Sequence, residues 1–304
     1  MSSPRPASAS AGGKVILLGE HAVVHGAPAL ALGLQRRVAV RLRPAAHARA
    51  RPPEDDLLRQ ALGRACAAFD LPPEVLEVEV AGALPMAVGL GSSAALAVAL
   101  TRAAAASAGV RLTPERLDAV ADEIERLFHG TPSGVDATVA ARGGALLFEA
   151  GPPRRWQRLR LERSLTFVVA LSGERHRTAE TVGLLGERVQ AFPEVYRPVL
   201  DAIGALVRSA RPALEKGDWG LLGRLMTMNH GLLRALGVST PELDRLVERA
   251  LSAGAHGAKL SGAGGGGAAV VIAGDDPTPV VESLRSAGYE CFVDRIEGEG
   301  ARLA

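Results

Sequence analysis

Aromatic residues are scarce. Phe, Trp and Tyr make up only 3% of the 304 residues, so a core has to be assembled mainly from Ala, Val, Leu and Ile. Cysteine is nearly absent: Cys66 and Cys291 are too few for a disulfide framework or a zinc site. A reducing, cytoplasmic setting is the simplest expectation. An excess of one charge is lacking too. The 35 Lys and Arg oppose 33 Asp and Glu, and a net charge of +2 argues against a nucleic-acid platform. No long hydrophobic run is present. The longest apolar stretch, residues 94–110, is interrupted by Arg102 and is mostly Ala, whereas a membrane span needs about 20 predominantly apolar residues. What is abundant is ordinary. With 47% hydrophobic and 22% charged residues the chain reads as globular, and its length suits two domains.

Lysine is rare among the cations: Lys14, Lys216 and Lys259 are the only three among 35 basic residues. In a chain that uses Arg almost everywhere, a retained Lys suggests a place where Arg would not serve. Lys14 and Lys259 both sit inside Gly-containing motifs.

Along the chain, residues 1–12 are Ser-, Ala- and Pro-rich and read as a disordered leader. Apolar or alternating runs predict strands at 15–18, 36–43, 75–80, 145–148, 167–171 and 268–272. Helical periodicity predicts helices at 57–69, 92–108, 181–190, 197–207, 221–236 and 279–287. Thr113-Pro114-Glu115 and Thr240-Pro241-Glu242 are helix starts, with Thr as cap and Pro at the first position. Gly151-Pro152-Pro153 is the clearest break. Residues 154–163 carry five Arg beside Trp156 and read as a solvated edge strand, with Leu159 and Leu161 facing in. Strands and helices intermix in both halves, so the class is α+β.

Four motifs carry chemistry. Residues 84–95 (LPMAVGLGSSAA) place small residues before a helix that opens at Ser92. Small residues let a backbone approach a ligand closely, and a helix N-terminus offers free amides and a positive dipole end. That is a recipe for cradling phosphate, but no Gly-Lys-Ser/Thr follows, so it is not a Walker loop. Residues 13–26 (GKVILLGEHAVVHG) form a strand with Lys14 at one end and Glu20-His21 at the other. Residues 129–136 (HGTPSGVD) place Asp136 beyond a Pro/Gly turn, where it is either a helix cap or a carboxylate aimed at a reacting hydroxyl. Upstream, Glu125 and His129 are spaced i, i+4, but no further ligands cluster with them to make a transition-metal site. Residues 257–267 (GAKLSGAGGGG) run straight into an apolar strand, which favours a ligand-facing loop over a flexible linker.

These motifs, in this order, resemble the GHMP small-molecule kinases. The strings GKVILLGEHAVVHGAPALA, PMAVGLGSSAA, HGTPSGVDATV and KLSGAGGGG are similar to the branch of that family acting on mevalonate. The resemblance spans residues 14–272. It implies a ribosomal-S5-like N-terminal domain, residues 13–152, and a ferredoxin-like C-terminal domain, residues 153–304, with ATP and substrate between them. It implies ATP binding by Pro85, Gly89, Leu90, Gly91, Ser92, Ser93 and Ala94, Mg²⁺ held by Ser93 and Glu125, and catalysis by Asp136 with Lys14. Glu20, His21, Thr178, Gly262, Ala263 and Gly264 fall on its substrate side. The surroundings of Thr178 (Arg177-Thr178-Ala179-Glu180) depart from the family's usual Ser/Asn-Thr-Lys/Arg wording. The implied partners are mevalonate and ATP, with no nucleic acid and no membrane, and the family suggests a homodimer. The alternatives are a member acting on homoserine, galactose or phosphomevalonate, or an inactive ATP and metabolite sensor. Ala22-Val23-Val24 after Glu-His departs from the Asp-Tyr-type pair of the galactose enzymes, and the presence of Lys14, Glu125 and Asp136 argues against the sensor.

Overall fold

A computed structural model describes residues 4–45, 53–85, 88–129, 132–174 and 178–299, with the side chains at 178 and 179 outside that description. The chain falls into two units that interleave. Unit 1 is Met1–Lys14, Gln35–Pro85 and Gly91–Gly143, and unit 2 is Val15–Leu34, Met86–Leu90 and Gly144–Ala304. The division therefore differs from a single cut after residue 152. The strands β1 (Ala7–Leu18) and β2 (Pro28–Pro44) are long enough to have residues in both units.

The segment expected to be a disordered leader is strand from Ala7 onward. Its composition is that of a flexible tail, but its backbone is claimed by long-range partners. Arg37 Nε donates to Ser10 Oγ at 2.8 Å, and both Arg37 and Arg102 donate to the Ser10 carbonyl at 3.0 Å. Side-chain composition carries no trace of such pairing. Strand β2 likewise begins eight residues before its alternating basic stretch, in the apolar run at Pro28–Leu34.

In unit 1, the outer half of β2 pairs antiparallel with β3 (Leu76–Gly82), with Val40 opposite Val80. Among its described residues the unit also holds four α-helices: α1 (Asp56–Ala67), α2 (Ser92–Ala108), α3 (Pro114–His129) and α4 (Val135–Arg142). Helix α2 is buried on almost every side, and α1, α3 and α4 all pack on it. Its nine alanines make that close approach feasible, and a helix apolar all round belongs in an interior. Asp55 caps α1 by accepting the Leu58 amide at 2.8 Å.

In unit 2, the inner half of β2 pairs with β4 (Ala145–Glu149), which pairs in turn with β5 (Arg155–Arg158). Strand β5 is an edge strand with all four residues exposed, while Leu159 and Leu161 are buried, as the sequence pattern suggested. A second sheet is fully antiparallel. It contains β6 (Leu165–Leu171), β7 (Gly257–Ser261), β8 (Ala268–Ile272) and β9 (Cys291–Ile296), in the order β7-β8-β6-β9. Counted within this sheet that order is 2-3-1-4, with helices between the first and second strands and between the third and fourth, which is the ferredoxin-like arrangement. Strands β7 and β9 are absent from the sequence reading, because one lies inside a Gly-rich motif and the other is short and mixed.

Among its described residues unit 2 also holds five α-helices: α5 (Thr178–Ala191), α6 (Pro193–Lys216), α7 (Trp219–Ala235), α8 (Pro241–Ser252) and α9 (Thr278–Ser286). Helix α6 is far longer than its expected 197–207 and continues through Pro198 and Pro212. Helices α8 and α9 close one core over the sheet, with Leu246, Val247 and Leu284 against Val168 and Val271. A second core joins α5, α6 and α7 through Leu185, Leu200, Ile203 and Leu233, and it takes in Ala22 from the turn after β1. Among the described residues no helix is long and apolar enough to cross a membrane.

Candidate active site

Unit 1 gathers the first set of charged groups at the ends of its helices. Strand β1 carries Lys14, which is 3% exposed, and α4 carries Asp136 in its first turn. Lys14 Nζ lies 3.2 Å from Asp136 Oδ2, and the Asp136 side chain keeps 29% of its surface open. A buried ammonium thus fixes a carboxylate that still reaches solvent.

Gly91 stands between this pair and α2. It caps the helix at φ +71°, and a Cβ there would sit 3.0 Å from Lys14 Cγ and 3.7 Å from Asp136 Oδ2. Both the left-handed backbone and the close approach call for glycine. No side chain caps α2, so the first amides after Gly91, at Ser92, Ser93 and Ala94, head the helix, and Ala95 N is the first to bond back, to Gly91 O. Such an end favours anions.

Helix α3 brings up Glu125 and His129. The Ser93 hydroxyl and His129 Nε2 share a hydrogen bond of 2.9 Å. The i, i+4 spacing of Glu125 and His129 therefore serves a hydroxyl on α2, and among the described residues no cluster of three or more His, Cys, Asp or Glu gathers. Glu125 is 2% exposed and its Oε1 has no hydrogen-bond partner. Burial, followed by the nearby negative charge of Asp136, pushes its carboxyl up to about 7, with Ser93 and Lys14 offsetting part of the effect. Burial likewise lowers the affinity of His129 for a proton. A buried carboxylate oxygen with no donor, next to a hydroxyl, is a fitting half-shell for a hard cation. Mg²⁺ takes few protein ligands and completes its octahedron with phosphates and water.

Unit 2 places Glu20, His21 and the Gly-rich loop. Glu20 is 1% exposed, and its carboxylate is engaged by Lys259 Nζ and by Asn229 Nδ2. His21 Nε2 donates to the Ala263 carbonyl at 2.9 Å, which makes Nε2 the protonated ring nitrogen. Gly262 and Gly264 flank that carbonyl and are buried. Gly265 N donates to Val238 O at 2.9 Å, so the loop is also tied to the segment after α7.

Of the remaining expected site residues, Pro85 is half-buried and ends a stretch of unit 1, while Gly89 is half-buried and Leu90 buried in unit 2. Thr178 is the first residue of α5, and its side chain lies outside the described residues, as do Met86, Ala87, Gly130 and Thr131 of the motifs. The sequence reading did not foresee Asn229 and Lys259 as the partners of Glu20. The available signal was the scarcity of lysine. Lys14 and Lys259 are both buried in ion pairs, whereas Lys216 ends a helix in solvent.

Comparison with known proteins bears on the same residues. The family model for the N-terminal domain of GHMP kinases matches residues 56–144, and that for the C-terminal domain of GHMP kinases matches residues 210–290. A mevalonate kinase of Pyrococcus horikoshii is 36% identical over 97% of both chains. One of Pyrococcus abyssi is 34% identical over 99% of this chain and 98% of the other. The crystal structure of L. major mevalonate kinase in complex with R-mevalonate superposes with a TM-score of 0.88, at 30% identity and 98% coverage of each chain.

Proposed function

The chain belongs to the GHMP kinases, and from that premise we propose that it transfers the γ-phosphoryl group of ATP to the 5-hydroxyl of mevalonate. The observation that carries the reading is the Lys14–Asp136 pair at 3.2 Å, set against the uncapped start of α2. Phosphoryl transfer asks a protein mainly for positioning and for charge neutralisation. The amides of Ser92, Ser93 and Ala94 bind the phosphate oxygens, with Pro85, Gly89 and Leu90 shaping the approach. Asp136 orients the acceptor hydroxyl and accepts its proton late, since in a loose transition state the hydroxyl keeps its proton until the bond to phosphorus is forming. Lys14 holds that carboxylate in place and attracts the developing charge of the transferred group. Ser93 and Glu125 would hold Mg²⁺, and the ion, when bound, neutralises phosphate charge. His21, Thr178 and the loop at Gly262, Ala263 and Gly264 form the acceptor side, and a cytoplasmic location and a homodimer complete the proposal.

The test is ADP release coupled to a spectrophotometric readout, with Mg²⁺ and ATP, offering mevalonate, phosphomevalonate, homoserine and galactose separately. Turnover with mevalonate alone is expected. Turnover with another acceptor would retain the chemistry and overturn the substrate. Nucleotide binding without turnover on any of the four would overturn the enzyme reading in favour of a sensor.

A further inference from the structure

A fully buried ion pair is expensive. Each ion forfeits several kcal/mol of hydration, which their attraction offsets only with good geometry and additional hydrogen bonds. Unit 2 builds such a pair from Glu20 and Lys259, 1% and 0% exposed, and phosphoryl transfer as derived above makes no use of it. The surroundings are elaborate. Lys259 Nζ donates to the Leu260 carbonyl and, at 3.5 Å, to the Ile16 carbonyl. Asn229 Nδ2 donates to the second oxygen of Glu20 at 3.3 Å. One residue pair further along β7, Ser261 Oγ accepts from Ile16 N at 2.9 Å and donates to Ile16 O at 3.2 Å. The end of β1 is thus stitched to β7 on one side of a corner and to α7 on the other.

The corner itself is strained. His21 sits at φ 62° and ψ −47°, a conformation that side-chain-bearing residues rarely adopt. Strain of this kind persists only where the surroundings over-determine it. On one side of His21 is the buried pair. On the other, Ala22 is fully buried among Leu200, Leu233 and Leu260. Between these anchors the ring reaches the Ala263 carbonyl, four residues along the chain from Lys259.

We propose that Glu20 and Lys259, with Asn229, are positioning residues: their buried pair fixes both chain segments joined by the His21–Ala263 hydrogen bond, and so presents the His21 ring and the Gly262–Gly264 loop to the acceptor alcohol. This rests on the phosphoryl-transfer reading, and it removes Glu20 from the substrate-contacting set, because both carboxylate oxygens are turned to Lys259 and Asn229. It also explains why lysine stands at 259 in an arginine-rich chain. The compact ammonium fits among Glu20, Ile16 and Leu260, where a planar guanidinium would be too large.

The decisive variant is Glu20→Gln/Lys259→Met in the full chain, since either single change strands the other charge in the interior. Three readouts are taken: the thermal midpoint, KM for ATP and for mevalonate, and the His21 ring resonances in a histidine-resolved NMR spectrum. The expected result is a folded protein with KM for ATP within about twofold, kcat/KM for mevalonate lowered at least about tenfold, and displaced His21 resonances. Wild-type mevalonate kinetics together with unmoved His21 resonances would reduce the pair to a structural one and overturn the proposal. If the double variant does not fold, Glu20→Asp keeps the charge and shortens its reach by one methylene, and the same readouts decide. A wild-type protein inactive on mevalonate would defeat the functional reading instead, and the His21 resonances of the variant still decide the positioning claim.

Discussion

Helix α7 carries glycines at 220, 223 and 231, and two of them are expected to respond to the same substitution with opposite signs. Helix propensity alone favours Ala over Gly by about 1 kcal/mol at an interior position. At Gly231 a Cβ would meet nothing within 4 Å, so Gly231→Ala should gain close to that amount. At Gly223 the added carbon would fall 2.2 Å from the His256 carbonyl oxygen, 2.3 Å from its carbon and 2.7 Å from Gly257 N. These are backbone atoms leading into β7, and the contact is mutual, since a Cβ on Gly257 would lie 2.0 Å from Gly223 O. Restoring an ordinary separation means lifting α7 from β7 by about 1 Å, against the packing of Leu222, Met226 and Leu233, all fully buried. Overpacking costs about 1–3 kcal/mol, and a rigid backbone partner puts this site at the upper end. Set against the propensity gain, Gly223→Ala should lose about 2 kcal/mol. Urea titrations of both variants beside the wild type measure the difference. A Gly223→Ala protein as stable as the parent would refute the backbone contact and, with it, the placement of Asn229 beside Glu20.

Three further expectations follow from the site. Asp136→Asn keeps the shape but loses the proton acceptor and the charge facing Lys14, so kcat should fall by about 10²-fold or more while nucleotide affinity stays within about twofold by equilibrium binding. Gly91→Ala imposes a strained φ and presses on Lys14; it should cost about 1–2 kcal/mol in urea and lower kcat, and normal turnover would show that Lys14 tolerates displacement. His230 is held neutral in the fold: burial, followed by the Lys259 charge, lowers it to about 4, outweighing Asp244, whose Oδ1 lies 3.2 Å from Nε2. Its folded value is below the unfolded one, so the unfolded chain binds more protons between pH 6.5 and 4, and stability falls as pH falls through that window. The contribution is about 2 kcal/mol lost by pH 5 relative to pH 7, and a His230→Asn variant should show a correspondingly flatter urea midpoint between those two pH values.

The sequence made local structure readable wherever the cause was local. Helix α2 is bounded at Ser92 and Ala108 by Gly91 and Gly109, both with left-handed backbones, and the Thr113 and Thr240 caps mark α3 and α8 through hydroxyls that accept the Arg116 and Leu243 amides. What could not be read was set by partners far away in the chain. Residues 7–12 have the composition of a loose tail, and they are strand because β1 pairs with β2, with Arg37 and Arg102 adding side-chain hydrogen bonds to the carbonyl of Ser10. The interleaving of the two units has the same origin: β1 and β2 are each longer than their periodic stretch, and nothing in an Ala-Gly-Ser run announces pairing.

The candidate site separates residue identity from residue role in the same way. The motif around Glu20-His21 marks both residues as important, and adjacency invites giving them one task. The structure divides them. Glu20 turns into the interior to meet Lys259, 239 positions away, while His21, in a strained backbone, turns to Ala263. Two polar residues adjacent in a motif need not share a task, and here both oxygens of Glu20 are already taken by Lys259 and Asn229. Exposure rather than motif membership distinguishes Asp136, with 29% of its side chain open, from Glu20, although each carboxylate is paired with one of the chain's two buried lysines. The same reasoning sets Glu125 apart: it is as buried as Glu20, but it has an oxygen with no donor, and a buried carboxylate left without a partner is fitted to take a cation rather than to hold two strands together.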